Sequence, residues 1–470
     1  MKIKFCGAAG EVTGSAHLIT LDNGFSFLLD CGLYQGDSEA WKNFNETWLF
    51  DPSSLDCMIL SHAHIDHTGR IPKLYKDGFQ GLVYSTHATR DLCSLMLLDS
   101  AAIQESESKN FNRRKQQNNW QNREEKVPLY NLDDAKEAMK NFSAMPFERY
   151  FNIHPDVEVM FRDTGHMLGS ASITLIIREN GKITRLGFSG DIGRPNRPIL
   201  KDPAPMPELD YLICESTYGD KEHESAPNEL EHFARIIYHT CREKKGKILI
   251  PAFSVGRTQE IVYMLDKLAS HDLLPRVPVY VDSPLSVNVT EIFKQHTECF
   301  DSDLHDYMLK DANPFGFNAL IYINDVEQSK ALNESDEPCI IIASSGMMNT
   351  GRIKHHLANN IEKESTTVLI VGYCSPQTPG GQLRNGANEL YLFGEKKQVN
   401  AQIEVMDSFS AHADRLEMLN FIKNQQNSLK KLFLVHGEPD TQAQFKVYLE
   451  ENGFDKTAIS MPSLGDEIVL

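Results

Sequence analysis

Residues 58–68, Met-Ile-Leu-Ser-His-Ala-His-Ile-Asp-His-Thr, constrain this chain more than any other stretch. An apolar run, Met58 to Leu60, passes directly into His62, His64, Asp66 and His67, four potential metal ligands within six residues. The run reads as a buried strand. Strand side chains alternate between faces, so His62, His64 and Asp66 would line one side and His67 would point away. A loop leaving the strand end can bring all four to one place. Imidazole together with carboxylate suits zinc, and manganese or iron less well. One zinc takes three or four protein ligands, so four here with more from elsewhere point to two metals.

Further candidates follow other strand-like runs. Asp30 closes the apolar run Phe25–Asp30, the last strand of a three-strand meander (Lys2–Cys6, Ala16–Leu21, Phe25–Asp30) that turns at Asn23-Gly24. His166 lies in Asp163-Thr164-Gly165-His166, and Asp191 in Ser189-Gly190-Asp191. His412 lies in Phe409-Ser410-Ala411-His412-Ala413-Asp414, and His436 in Val435-His436-Gly437-Glu438. A lone histidine is usually structural. A repeated strand-then-ligand pattern, with glycines that permit close approach, argues for a shared centre.

Composition sets limits on what the chain does. The 470 residues allow about two to four domains, and 41% hydrophobic content supports a real core. No apolar run approaches the roughly 18–20 residues of a membrane span, so no membrane partner is expected. The nine cysteines are scattered and odd in number, with no Cys-x-x-Cys pair. With no signal-peptide h-region at the N-terminus, they point to a reducing, cytoplasmic location and away from cysteine-ligated zinc. The net charge of −18 is the wrong sign for long non-specific nucleic-acid binding. It does not bar a small phosphodiester site, since metals and local arginines dominate within about 8–10 Å.

After His67, residues 71–76 read as helix, 82–85 as strand, and 88–119 as a helical excursion ending in the polar stretch Arg113 to Trp120. Strands return at 157–161, 172–177 and 184–189. Five prolines between Arg194 and Pro207 read as a linker. From 209 to 373, apolar runs of about five residues alternate with helical segments, which predicts a parallel sheet covered on both faces. Ligands of such sheets sit at the carboxyl ends of strands. There the sequence places Pro251-Ala252-Phe253-Ser254-Val255-Gly256-Arg257, Asp282-Ser283-Pro284 and Ser344-Ser345-Gly346-Met347, and Arg352 follows the last. The Ser-Ser-Gly turn opens a helix whose N–H groups could hold a phosphate.

The cluster at 62–67, followed by His166, Asp191 and a C-terminal histidine, resembles the metallo-β-lactamase superfamily. Glu215 in Cys214-Glu215-Ser216-Thr217-Tyr218-Gly219, with the His412 and His436 segments, resembles the three extra motifs of the β-CASP nucleases. The likeness spans essentially the whole chain, in the family's order. It implies an α/β fold: an αββα sandwich (residues 1–207 and 396–470) interrupted by an α/β parallel-sheet β-CASP domain (208–395). The turn Gln377-Thr378-Pro379-Gly380-Gly381-Gln382 departs from the Gly-Thr-x-Gly that relatives often carry.

The resemblance also implies two zinc ions per chain, with manganese as an alternative. His62, His64 and His166 would hold one; Asp66, His67 and His436 the other; Asp191 would bridge, and Asp30 would orient a ligand histidine. A hydroxide between the metals would attack phosphorus, with Asp66, His412 and Glu215 as catalytic residues. His412 would be the general acid and Glu215 its orienter, giving 3′-hydroxyl and 5′-phosphate ends. Ser344, Ser345, Arg257, Arg352 and Arg384 would contact substrate phosphates in an interdomain cleft. The expected partner is single-stranded RNA, cut endonucleolytically, because RNA-cutting members carry a histidine at the position of His436. A DNA nuclease of the same family, and a dinuclear-zinc hydrolase of small esters or thioesters, are the alternatives. Oligomeric state stays open, a homodimer included.

Overall fold

The computed structural model of the protein describes residues 1–36, 41, 43–117, 125–223, 229–372, 374–406 and 410–470. Residues 118–120 of the polar stretch and Phe409 of the His412 segment lie outside them. The chain divides into two compact units, one of residues 1–222 and 412–470, the other of residues 223–411.

The first unit is built on two seven-stranded sheets. In spatial order the first contains Glu467–Val469, Lys2–Phe5, His17–Thr20, Ser26–Leu29, Cys57–Ile59, Leu82–Thr86 and Phe142–Met145. It is antiparallel through Ser26–Leu29 and parallel beyond. The second runs Ile459–Ser460, Lys431–Val435, Tyr211–Glu215, Lys182–Phe188, Ala171–Glu179, Val157–Asp163 and Phe151–His154.

Strand alternation decides how the sheets pack. Ile3, Phe5, Phe27, Leu29 and Ile59 of the first sheet meet Val159, Phe161, Ile173, Leu175, Phe188 and Ile213 of the second in one core. On the strand Lys431–Val435, Phe433 and Val435 face that core. Leu432 and Leu434 turn the other way, against Met418, Leu419 and Ile422 of the helix Arg415–Ile422 and Phe445 and Leu449 of Pro439–Glu451. The helices His87–Gln117 and Leu132–Met139 pack against each other, and the former packs against Leu82–Thr86 and the edge strand Phe142–Met145 of the first sheet. The result is the αββα sandwich.

The second unit holds a six-stranded sheet ordered Leu320–Tyr322, Val279–Val281, Ile340–Ala343, Ile248–Pro251, Thr367–Ile370, Gln402–Val405, with every pairing parallel. Ile248, Leu249, Ile250, Ile340, Ile341 and Ile342 are all fully buried. That is why this segment reads as continuous apolar runs rather than alternation.

The division between units falls later than the expected 207/208 and 395/396. Tyr211–Glu215 pairs in parallel with Leu186–Phe188 and with Lys431–Val435, which ties it to the first unit. Gln402–Val405 closes the sheet of the second. The proline-rich stretch is accordingly not a linker between units. It stays within the first, where Ile199, Met206 and Leu209 are buried. Among the described residues no disulfide forms, and all nine cysteines are buried. No helix among them is long and apolar enough to cross a membrane.

Candidate metal centre

All seven expected ligands lie in the first unit, and the sheets bring them together. The strand Cys57–Ile59 ends just before His62, and His64 caps a one-turn helix, Ile65–Thr68, that carries Asp66 and His67. This turn replaces the extended continuation that would have pointed His67 away. Its backbone is stitched to the preceding segment: Ser15 N–H donates to Asp66 O (2.8 Å), Cys31 N–H to His67 O (2.8 Å) and Leu33 N–H to Ile65 O (2.9 Å). Only glycine fits at 32, where a Cβ would lie 1.6 Å from Asp66 O. Buried Arg70 donates from Nε to Gly32 O at 2.9 Å, holding the same segment. His166 and Asp191 follow Val157–Asp163 and Lys182–Phe188, the strands on either side of Ala171–Glu179 in the second sheet, and His436 leaves Lys431–Val435.

The ligand atoms fall into two groups around Asp191. Its Oδ2 lies 3.3 Å from His62 Nε2 and 3.4 Å from His166 Nε2. Its Oδ1 lies 3.3 Å from His67 Nε2 and 3.8 Å from His436 Nε2. His64 Nδ1 is 3.1 Å from His166 Nε2, and Asp66 Oδ2 is 3.5 Å from His436 Nε2. One group is thus His62, His64, His166 and Asp191; the other is Asp66, His67 and His436. Asp191 Oδ1 and His62 Nε2 are buried with no hydrogen-bond partner among the described residues. Buried polar atoms are normally paired, so two orphans aimed into a histidine cluster fit a pair of cations.

Electrostatics agree. Burial, reinforced by the neighbouring histidines, pushes His62 and His166 below the usual imidazole range and His64 down to about 3, leaving them neutral with lone pairs to offer. For His67, burial is outweighed by Asp191, Asp30 and Asp66, which raise it. Asp66 and Asp191 are held below the usual carboxylate range, burial being overcome by the surrounding imidazoles.

Asp30, fully buried, accepts from His67 Nδ1 at 2.6 Å. It also accepts from Ser61 N–H (2.8 Å) and Ser61 Oγ (2.8 Å), and Ser61 Oγ lies 3.0 Å from His62 Nδ1. One carboxylate therefore orients a histidine of each group, one directly and one through Ser61.

Beside the cluster, His412 Nδ1 lies 3.3 Å from Glu215 Oε2 and 3.9 Å from Asp191 Oδ2. Its ring sits 4.5 Å from that of His166, centroid to centroid. Ala413 N–H donates to Ile192 O at 2.8 Å, holding the His412 segment to the Asp191 loop. Burial would lower the His412 pKa; Glu215 and Asp191 outweigh it and raise it to about 9. Thr217 Oγ1 bonds Glu215 Oε2 (2.5 Å) and sits 3.0 Å from His436 Nδ1, joining the two C-terminal histidines.

The expected phosphate contacts lie in the second unit. Ser344 Oγ meets Ser283 Oγ at 3.3 Å, and Ser345 Oγ meets Asn349 Oδ1 at 3.0 Å. Arg384 Nη1 reaches Gly372 O at 3.3 Å. Two of the arginines have partners within the second unit. Arg257 pairs with Glu260 on its own helix. Arg352 Nη1 lies 2.5 Å from the buried Asp282 Oδ1, and Arg352 also donates to the carbonyls of Ile323 and Asn324. Sequence reasoning missed Ser61, Arg70 and Thr217. The first and last each stand beside a candidate ligand or catalytic residue, their only signal.

Comparison with known proteins gives the same picture. The metallo-beta-lactamase superfamily model matches residues 9–220, the Beta-Casp domain 258–383, and the Zn-dependent metallo-hydrolase RNA specificity domain 396–460. The chain is 32% identical to Ribonuclease TTHA0252 of Thermus thermophilus over 94% of each protein. It is 30% identical to Transcription termination factor FttA of Methanosarcina mazei, over 93% of this chain and 67% of that protein. Among solved structures it is similar in fold to a protein of unknown function from Enterococcus faecalis V583, with a TM-score of 0.55 at 11% identity, covering 100% of this chain and 99% of that one. The chain belongs to the β-CASP ribonuclease family of the metallo-β-lactamase superfamily, a family of metal-dependent hydrolases.

Proposed function

We propose that this protein hydrolyses phosphodiester bonds of single-stranded RNA at a two-zinc centre, leaving 3′-hydroxyl and 5′-phosphate ends. The observation that carries the reading is Asp191, whose two oxygens face separate ligand groups while Glu215 and His412 stand beside one of them. His62, His64 and His166 would hold one ion, Asp66, His67 and His436 the other, and Asp191 both. When bound, the metal pair supplies Lewis acidity, which activates a water and offsets phosphate charge.

The chain's own residues do the rest. Asp30 and Ser61 fix the ring orientations of His67 and His62. Glu215 accepts the Nδ1–H of His412, so Nε2 is the ring atom that would deliver a proton to the leaving 3′-oxygen. Asp191, with Glu215, favours the charged imidazolium before transfer. Ser344, Ser345, Arg257, Arg352 and Arg384 would contact substrate phosphates.

The test is incubation of zinc-loaded protein with matched 5′-labelled single-stranded RNA and DNA, using His64→Ala as control. Internal cutting of RNA alone, lost in the variant, is the expected result. A labelled mononucleotide as sole product would establish 5′-exonuclease action. Cleavage of DNA, or of a thioester or lactone alone, would overturn the RNA assignment.

A further inference from the structure

In the six-stranded sheet, the helix Arg257–Ser270 leads from Ile248–Pro251 to Val279–Val281 on one side, and Gly351–Asn360 leads from Ile340–Ala343 to Thr367–Ile370 on the other. These two starting strands are direct neighbours. Right-handed crossovers in opposite directions place the helices on opposite faces. The loops 252–256 and 344–350 therefore flank a topological switch point, where open α/β sheets bind ligands.

Phe253 stands there. It is 47% exposed, unusual for a phenylalanine so near a strand end whose residues are all buried. Its backbone is pinned: Thr258 donates to Phe253 O from Oγ1 (2.8 Å) and from N (3.3 Å). Its ring lies against Gly346, where a Cβ would come within 2.9 Å of Cε2 and 3.0 Å of Cδ2. A bare glycine on the facing loop thus makes the seat for one aromatic ring. The next residue, Ser254, opens a row of hydroxyls. Ser254 Oγ is 3.2 Å from Ser283 Oγ, which is 3.3 Å from Ser344 Oγ, linking the ends of three neighbouring strands.

One π-face beside a row of hydroxyls matches one nucleotide: the ring takes the base, and the hydroxyls donate to phosphate or sugar oxygens. We infer that Phe253, seated on Gly346, is a base-stacking residue that grips one nucleotide of the RNA strand at this switch point. The inference rests on the reading of RNA as substrate.

The experiment measures kcat and KM of zinc-loaded wild type, Phe253→Ala, Phe253→Trp and Gly346→Ala on a single-stranded RNA. The same RNA is then scanned with an abasic nucleotide at each position. Phe253→Ala is expected to raise KM by about 5- to 100-fold, with the loss falling on KM rather than kcat, and Phe253→Trp to restore it. Gly346→Ala, which keeps the phenylalanine but displaces its ring, should raise KM likewise. At one position the abasic substitution should weaken wild type while costing Phe253→Ala nothing further. If wild type cuts RNA and Phe253→Ala keeps its KM, or the abasic losses add to the mutation at every position, stacking is wrong and the hydrolytic reading stands. If wild type cuts no RNA, both fall. Should Phe253→Ala not fold, as judged by thermal melting, Gly346→Ala and Phe253→Trp with the abasic scan decide.

Discussion

The Asp30 carboxylate lies 2.6 Å from His67 Nδ1 and reaches His62 through Ser61 Oγ, so one buried charge sets the orientation of a histidine in each ligand group. Asp30 has a φ of 58°, a conformation that Asp and Asn tolerate better than most residues. Asp30→Asn therefore removes the charge without straining the backbone. The variant should bind metal about 10- to 100-fold more weakly, measured by competition with a chelator, and lose activity in parallel. Unchanged affinity would show that packing alone orients the rings.

His412 stands beside the two ligand groups and contacts Glu215, and with Asp191 these residues form a third group whose ligand atoms lie within 4.8 Å of one another, so metal content decides its role. His412→Ala should keep both metals, counted by elemental analysis, and lose about 10²- to 10⁴-fold in kcat. Loss of a metal would make His412 a ligand and leave the proton donor unassigned.

The histidine cluster was legible because its ligands crowd one turn after a strand, and because His166, Asp191 and His436 each follow strand-like runs. The supporting groups were not. A serine or threonine that hydrogen-bonds a ligand, as Ser61 and Thr217 do, carries no periodicity and no unusual spacing. The second unit's parallel sheet was legible because strands buried on both faces are apolar throughout. Its boundary was not, because proline marks irregular backbone whether or not the segment packs, and Met206 and Leu209 do pack. An arginine after a strand end reads the same whether it meets a phosphate or, as Arg352 does, a buried aspartate.

Asp266, on the helix Arg257–Ser270, is 1% exposed and accepts from Tyr307 Oη at 2.6 Å. Burial raises its pKa from 3.8 to about 6. Between these values the unfolded chain has already released a proton that the folded chain retains. Stability therefore falls as pH rises from about 4 to 6, and the penalty is fully present above 6. Asp266→Asn keeps an acceptor for Tyr307 and removes the charge. It should raise the melting temperature at pH 7–8, by on the order of 1–3 kcal/mol in stability, with the advantage gone below pH 4. A gain that persists at pH 4 would point to packing instead.

Arg352 and His356 converge on Asp282, which sits at the carboxyl end of Val279–Val281 and is fully buried. Asp282 Oδ2 also accepts from Ser329 Oγ at 2.5 Å, and burial is outweighed by His356, Ser329 and Arg352 in holding its carboxyl below the usual range. Truncating one partner leaves a buried charge short of compensation, typically a loss of about 3–5 kcal/mol. Arg352 is partly exposed, so the lower end applies: Arg352→Ala should destabilise by about 3 kcal/mol in thermal or denaturant unfolding. Arg352→Lys should recover only part of it, because a single ammonium cannot bond the carboxylate and both carbonyls as the guanidinium fork does. A phosphate-gripping role predicts the reverse pattern, with stability unchanged and KM for RNA raised, so the two readings separate in one pair of measurements.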